Sequence, residues 1–153
     1  MRSRSRLLNP DAIAPLEASC ERRVRFGELD PMGIVWHGCY ASWLEDGREA
    51  IGRRYGIAYT DFHAQGFMTP LKHLSIDFVR PLRYEQVYTI TAKLLWSEGA
   101  RMDFAYVISD ADGQVMTRAE SAQLFMTLDG ELLLEQPAWY RAFMERWKQG
   151  EVR

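Results

Sequence analysis

Cysteine is scarce: Cys20 and Cys39 are the two in 153 residues, too few for a disulfide framework and at a spacing that matches no metal motif. Both read as reduced thiols of a cytoplasmic protein. No apolar run approaches the roughly 18 residues of a spanning helix. Behind Arg2, Arg4 and Arg6 stands only Leu7-Leu8, so a secretory hydrophobic segment is not expected. Charge of one sign is also missing. The 19 basic and 21 acidic residues are interspersed and leave a net charge of -2, which argues against the basic stripe of a nucleic-acid binder and against a polybasic membrane patch. Internal repeats, low-complexity tracts, a Gly-x-Ser-x-Gly elbow and phosphate-cradling glycine loops are absent, as is any His, Cys and Asp cluster at metal-ligand spacing.

What remains is ordinary globular material. With 47% apolar residues, a chain of this length is one domain's worth and buries roughly 68–70% of its unfolded surface. Residues 1–18, broken by Pro10 and Pro15, read as a loosely held arm, and residues 19–148 as a single domain.

Period decides the elements. Cys20, Val24 and Phe26 alternate weakly and predict a first strand from Ser19 to Gly27. From Tyr40 to Tyr55 the stripe Tyr40, Trp43, Leu44, Gly47, Ala50, Ile51 and Tyr55 follows helical spacing, with Glu45 and Asp46 early and Arg48, Arg53 and Arg54 late, the order a helix dipole favours. Gly56 offers a stop. After Pro70 the period shortens to two: Leu74, Ile76 and Phe78; Tyr88 to Trp96; Met102 to Ile108; and a long strand from Val115 to Thr127 behind an Asp110-Ala111-Asp112-Gly113 hairpin. Pro137 opens a short last helix carrying Trp139, Tyr140, Phe143, Met144 and Trp147.

The expected layout is α+β: about five antiparallel strands, the last four as a meander, with one long helix on the concave face and a short C-terminal helix. One sheet facing one helix leaves its edges unprotected. At least a homodimer is expected, possible stacking into a homotetramer being left open.

Chemistry concentrates between Asp30 and Tyr40. Asp30 stands beside Pro31 and three residues before Gly33, a turn-forming arrangement, and His37 follows at the mouth of the long helix. The first N–H groups of a helix lack intrahelical partners, and such donors stabilise a developing oxyanion. A carboxylate opposite them can act as general base toward water or attack a carbonyl itself, so the pair suits acyl transfer to water. For His37 two readings stay open, an imidazole that orients substrate or water and a backbone N–H that serves whatever the side chain. His63 and His73 stand in unrelated contexts and are assigned to the surface.

The segment Asp30-Pro31-Met32-Gly33-Ile34-Val35, followed by Tyr40 and Trp43-Leu44, resembles the active-site motif of 4-hydroxybenzoyl-CoA thioesterases. Val35-Trp36-His37 with Tyr40 also resembles the related Tol-Pal-associated acyl-CoA thioesterases. Both are hotdog-fold enzymes. Leu74 to Leu82 is similar to the family's second strand and following proline, and Ser109 to Thr127 to its last hairpin, so the resemblance spans roughly residues 20 to 128. Phe26 departs from a common Tyr and Leu29 from a common Thr or Cys.

The resemblance implies that Asp30 is the catalytic carboxylate and that a backbone N–H near His37 polarises the thioester carbonyl. It also implies a site at a dimer interface along which the pantetheine arm enters. The partner is then an acyl-CoA or an acyl-carrier protein. Coenzyme A or phosphopantetheine would come as part of the substrate, with no separate cofactor and no metal. Trp36, Tyr40, Trp43, Phe67 and Met68 are expected to line the acyl pocket, with Gly33, Val35 and Gly38 completing the substrate-binding set. Arg80, Lys93 and Arg101, near strand ends, are candidates for the coenzyme A phosphates. Two other functions stay open: dehydration or hydration of thioester-linked acyl chains, whose usual motif is missing, and non-catalytic acyl binding.

Overall fold

A computed structural model describes residues 13–153, so most of the expected N-terminal arm, residues 1–12, lies outside the described residues. The first strand β1, Leu16–Arg23, begins within the rest of that arm, with Leu16 and Ala18 buried. It also ends earlier than expected, because Phe26–Glu28 turns into a 3-10 helix. A second such turn, His37–Cys39, leads into α1, Tyr40–Tyr55, and then come α2, Tyr59–Ala64, and β2, Phe67–Met68. The strands β3, Leu71–Phe78, β4, Val87–Leu95, β5, Arg101–Ser109, and β6, Val115–Leu124, follow. After Phe125 comes β7, Met126–Thr127, and the last element is α3, Ala138–Lys148.

The five long strands form one antiparallel sheet in the order β1-β4-β5-β6-β3. Only β4, β5 and β6 are a meander. The expected four-strand meander fails at β3, which crosses the sheet to pair with β6, Leu74 opposite Ser121 and Ile76 opposite Ala119. The expected strand to Thr127 is likewise two strands: Phe125, fully buried, breaks the run, and β7 pairs with β2 as a separate two-stranded sheet. Phe67 and Met68 therefore stand in a strand.

The sheet wraps α1, whose buried residues Tyr40, Trp43, Leu44, Gly47, Arg48, Ile51 and Gly52 keep the three-four spacing of one helix face. Gly47 marks the closest approach: a Cβ there would lie 2.9 Å from Ile90 Cγ2 and 3.2 Å from Ala92 Cβ. Arg48, expected to serve the helix C-terminus, is 1% exposed instead. Its Nε donates to Gln123 Oε1 at 2.8 Å and its Nη1 to Ile57 O at 3.0 Å. The guanidinium lies 4.6 Å from the Tyr59 ring centre and 5.0 Å from that of Phe104, and burial lowers its pKa. The helix α3 adds Tyr140, Phe143, Met144 and Trp147 to the core, and Trp147 Nε1 donates to Ala14 O at 3.0 Å.

Candidate active site

Asp30 heads a small closed loop. Leu29 and Val35 form an antiparallel bridge, Asp30 N–H donates to Ile34 O at 2.9 Å and Gly33 N–H to Asp30 O at 3.0 Å. Gly33 sits at φ +76°, a left-handed value that costs glycine nothing. Pro31 presets the turn before it. Met32 N–H donates to Asp30 Oδ1 at 2.8 Å, an Asx-type bond that fixes the carboxylate against its own backbone. Its Oδ2 has no donor among the described residues. The loop is tied to the chain after β3 by Val35 N–H donating to Leu82 O at 3.0 Å.

The opposite wall is the start of the helix. Trp36 N–H donates to Glu28 O at 2.8 Å and Cys39 N–H to Trp36 O at 2.9 Å, and Tyr40 N–H bonds His37 O. Among the described residues no backbone acceptor lies within reach of the amides of His37 and Gly38. They are the orphan donors that a helix N-terminus must leave.

A cavity of about 300 Å³ joins these parts. Asp30, Met32, Ile34, Val35, His37 and Tyr40 line it on one side, and Phe78, Val79, Arg80 and Pro81, at the end of β3, on the other. Tyr40 is buried and packs edge-to-face on Phe78 with centroids 4.7 Å apart, and burial raises its pKa. Arg80 Nη1 donates to Val115 O at 2.8 Å, so this cation is anchored at the cavity wall. A larger cavity, about 670 Å³, lies between the start of β1 and the ends of α1 and α3. Its carboxylate, Glu17, pairs with Lys93, so size does not mark the chemistry here.

Five of the sequence-derived site residues, Asp30, Val35, His37, Tyr40 and Arg80, line this cavity, and Gly38 follows His37 in the turn beside it. The others stand apart. Gly33 shapes the turn. Trp36 is half-exposed, its ring 5.2 Å from that of His37 and against Gly38, where a Cβ would meet the indole. Trp43 is fully buried, its Nε1 donating to Glu28 Oε2 at 2.8 Å, and it does not line the cavity. Phe67 and Met68 are held in β2 away from the wall. Lys93 pairs with Glu17 at 3.5 Å and Arg101 bonds Asp103 at 2.8 Å, both outside the cavity.

Glu28 escaped the sequence reading because a strand was expected through Gly27, which makes an acid beside it look like surface. It is 8% exposed and accepts from Arg22 Nη2 at 2.9 Å, Trp43 Nε1 at 2.8 Å and Arg25 N at 3.0 Å. A carboxylate so engaged is structural, whereas Asp30 keeps an oxygen without a donor among the described residues.

A five-stranded antiparallel sheet wrapped around one long helix, with a carboxylate loop at that helix's N-terminus, is the hotdog arrangement. The chain matches the thioesterase-like superfamily over residues 24–144 and belongs to it. The 4-hydroxybenzoyl-CoA thioesterase of Pseudomonas sp. (strain CBS-3) is 31% identical over 133 residues, covering 78% of this chain and 92% of that protein. YneP of Bacillus subtilis (strain 168), provisionally named an acyl-CoA thioesterase, is 30% identical over 104 residues, 68% of this chain and 75% of that one. Among solved structures, the DHNA-CoA thioesterase from Staphylococcus aureus superposes with a TM-score of 0.76 at 22% identity, covering 88% of this chain and 93% of that one. It supports the fold.

Proposed function

We propose that this chain hydrolyses acyl-CoA thioesters, with Asp30 as the general base or nucleophile and the amides of His37 and Gly38 as the oxyanion site. The observation that carries the reading is the shared cavity, where a carboxylate whose Oδ2 has no donor among the described residues meets the helix start at His37, the amides of His37 and of the adjacent Gly38 having no backbone acceptor among those residues. As base, Asp30 takes a proton from water while the water oxygen bonds to the carbonyl carbon. As nucleophile, its oxygen forms that bond first and water then cleaves the anhydride. In both cases the carbon–sulfur bond breaks, the thiolate leaves and takes up a proton, and the amides bear the charge on the carbonyl oxygen. The apolar wall of Ile34, Val35, Phe78 and Val79 suits an acyl group, and Arg80 at the rim suits a coenzyme A phosphate.

The working unit in this proposal is a homodimer. Supporting it, β3 is a sheet edge, and its Leu71 and Phe78 are exposed together with Val79. A second copy would cover apolar surface and close the cavity wall to which Phe78 and Val79 belong.

The test is Asp30→Asn, assayed on a panel of acyl-CoAs with free thiol as readout. The expected loss in kcat is about 10²–10⁴-fold, and turnover near that of the unchanged protein would remove Asp30 from the mechanism. Running the same acyl groups on a carrier protein distinguishes the two thiol donors.

A further inference from the structure

The two halves of the site belong to different segments, and one residue holds both. The Glu28 carbonyl accepts from Trp36 N–H at 2.8 Å, directly before His37 and Gly38, and from the Cys39 thiol at 3.8 Å. Its carboxylate binds the first turns of α1 through Trp43 Nε1, β1 through Arg22 and its own turn through Arg25 N–H. Arg22 is in turn ion-paired to Asp46 of α1 at 3.1 Å and stacks 4.6 Å from the Trp43 ring centre. Two residues on stands Asp30. Loop and helix start are therefore fastened to one buried carboxylate whose three donors are all satisfied.

From this we infer that Glu28 is the positioning residue that sets the separation between the Asp30 carboxylate and the amides of His37 and Gly38. The inference rests on the thioesterase reading above. A glutamine in its place keeps the shape but turns an N–H₂ toward one of the three donors, which forces Trp43, Arg22 or the Arg25 amide away. The loop then moves relative to the helix. Substrate binding, made mostly by other walls of the cavity, changes little, whereas the reacting geometry suffers, and misplacement by about 1 Å is enough for roughly 10²-fold in rate.

The experiment compares Glu28→Gln, Trp43→Phe and the double variant. The second removes the indole N–H together with the five-membered half of the ring and keeps a smaller aromatic ring in the core. Both single variants are expected to lose up to about 10²-fold in kcat with KM nearly unchanged, and the double variant to be no worse than the poorer single one, as for two ends of one bond. Hydrogen exchange at the Trp36 and Met32 amides, which report the two walls, is expected to quicken in both. Full kcat in both variants, or unaltered exchange at these amides, overturns the proposal. If the unchanged protein releases no thiol, or Asp30→Asn turns over normally, it is the thioesterase reading that fails, and the exchange measurement still decides the role of Glu28.

Discussion

Asp30 and Glu28 stand two residues apart with the same charge, yet one keeps an oxygen free in a cavity and the other accepts three hydrogen bonds under the helix. The difference arises from backbone direction: the 3-10 turn Phe26–Glu28 aims Glu28 inward, and the closed loop from Leu29 to Val35 aims Asp30 at the cavity. At this scale the two readings of His37 can be separated. His37 is the first residue of its 3-10 turn, and Trp36 before it has ψ 136°, an extended value that a following proline accepts. His37→Pro thus removes the amide, and His37→Ala only the imidazole. If the amide is the oxyanion donor, kcat of His37→Pro falls about 10²–10³-fold below that of His37→Ala. Equal rates would hand the role to the ring. The Asp30 to Tyr40 segment was legible in the sequence because its turn residues and its helix start are neighbours along the chain. Glu28 was not, since its donors Arg22 and Trp43 are brought to it by the fold and mark no motif.

Among the elements, α1 was legible to the residue, from Tyr40 to Tyr55, because its apolar stripe and Gly56 are local signals. Arg48 was misread by the same logic, as charge sequence alone cannot tell a helix-end cation from one buried against Gln123 and two aromatic rings. The path of β3 was illegible for a different reason: alternation reveals which face of a strand is apolar but not its neighbour. Helix α2, only six residues long, was too short to show a period. The seating of α1 on the sheet makes a sharp prediction at Gly47. Alanine gains about 1 kcal/mol of helix propensity, but its methyl would press on the fully buried Ile90 and Ala92 at 2.9 and 3.2 Å. Overpacking of this kind costs about 1–3 kcal/mol, so Gly47→Ala is expected to lower the urea midpoint without changing the slope. A higher midpoint would mean that helix and sheet separate freely.

For the molecule as a whole, the buried phenols of Tyr106 and Tyr140 and the partly exposed one of Tyr59 set an alkaline limit. Burial pushes Tyr59 up to about 12, with its bond to Glu45 adding to the effect, and drives Tyr106 and Tyr140 higher still. A tyrosine raised in the folded state binds its proton more tightly there than in the unfolded chain. Its contribution is complete below the unfolded value of about 10 and is lost as pH climbs through the folded value. Thermal stability should therefore decline above about pH 10, with phenolate absorbance rising in step with the loss of helical circular dichroism. Ionisation of all seven tyrosines while the fold stays intact would contradict this.

Phe78 and Val79 belong both to the rim of the cavity that holds Asp30 and to the open margin of the sheet. Whatever settles on that margin stands in the doorway of the proposed site. The rate per chain should then depend on how crowded the solution is with its fellows, bending downward on dilution and flattening at high enzyme concentration. Strict proportionality to the most dilute assay would mean that each chain works alone.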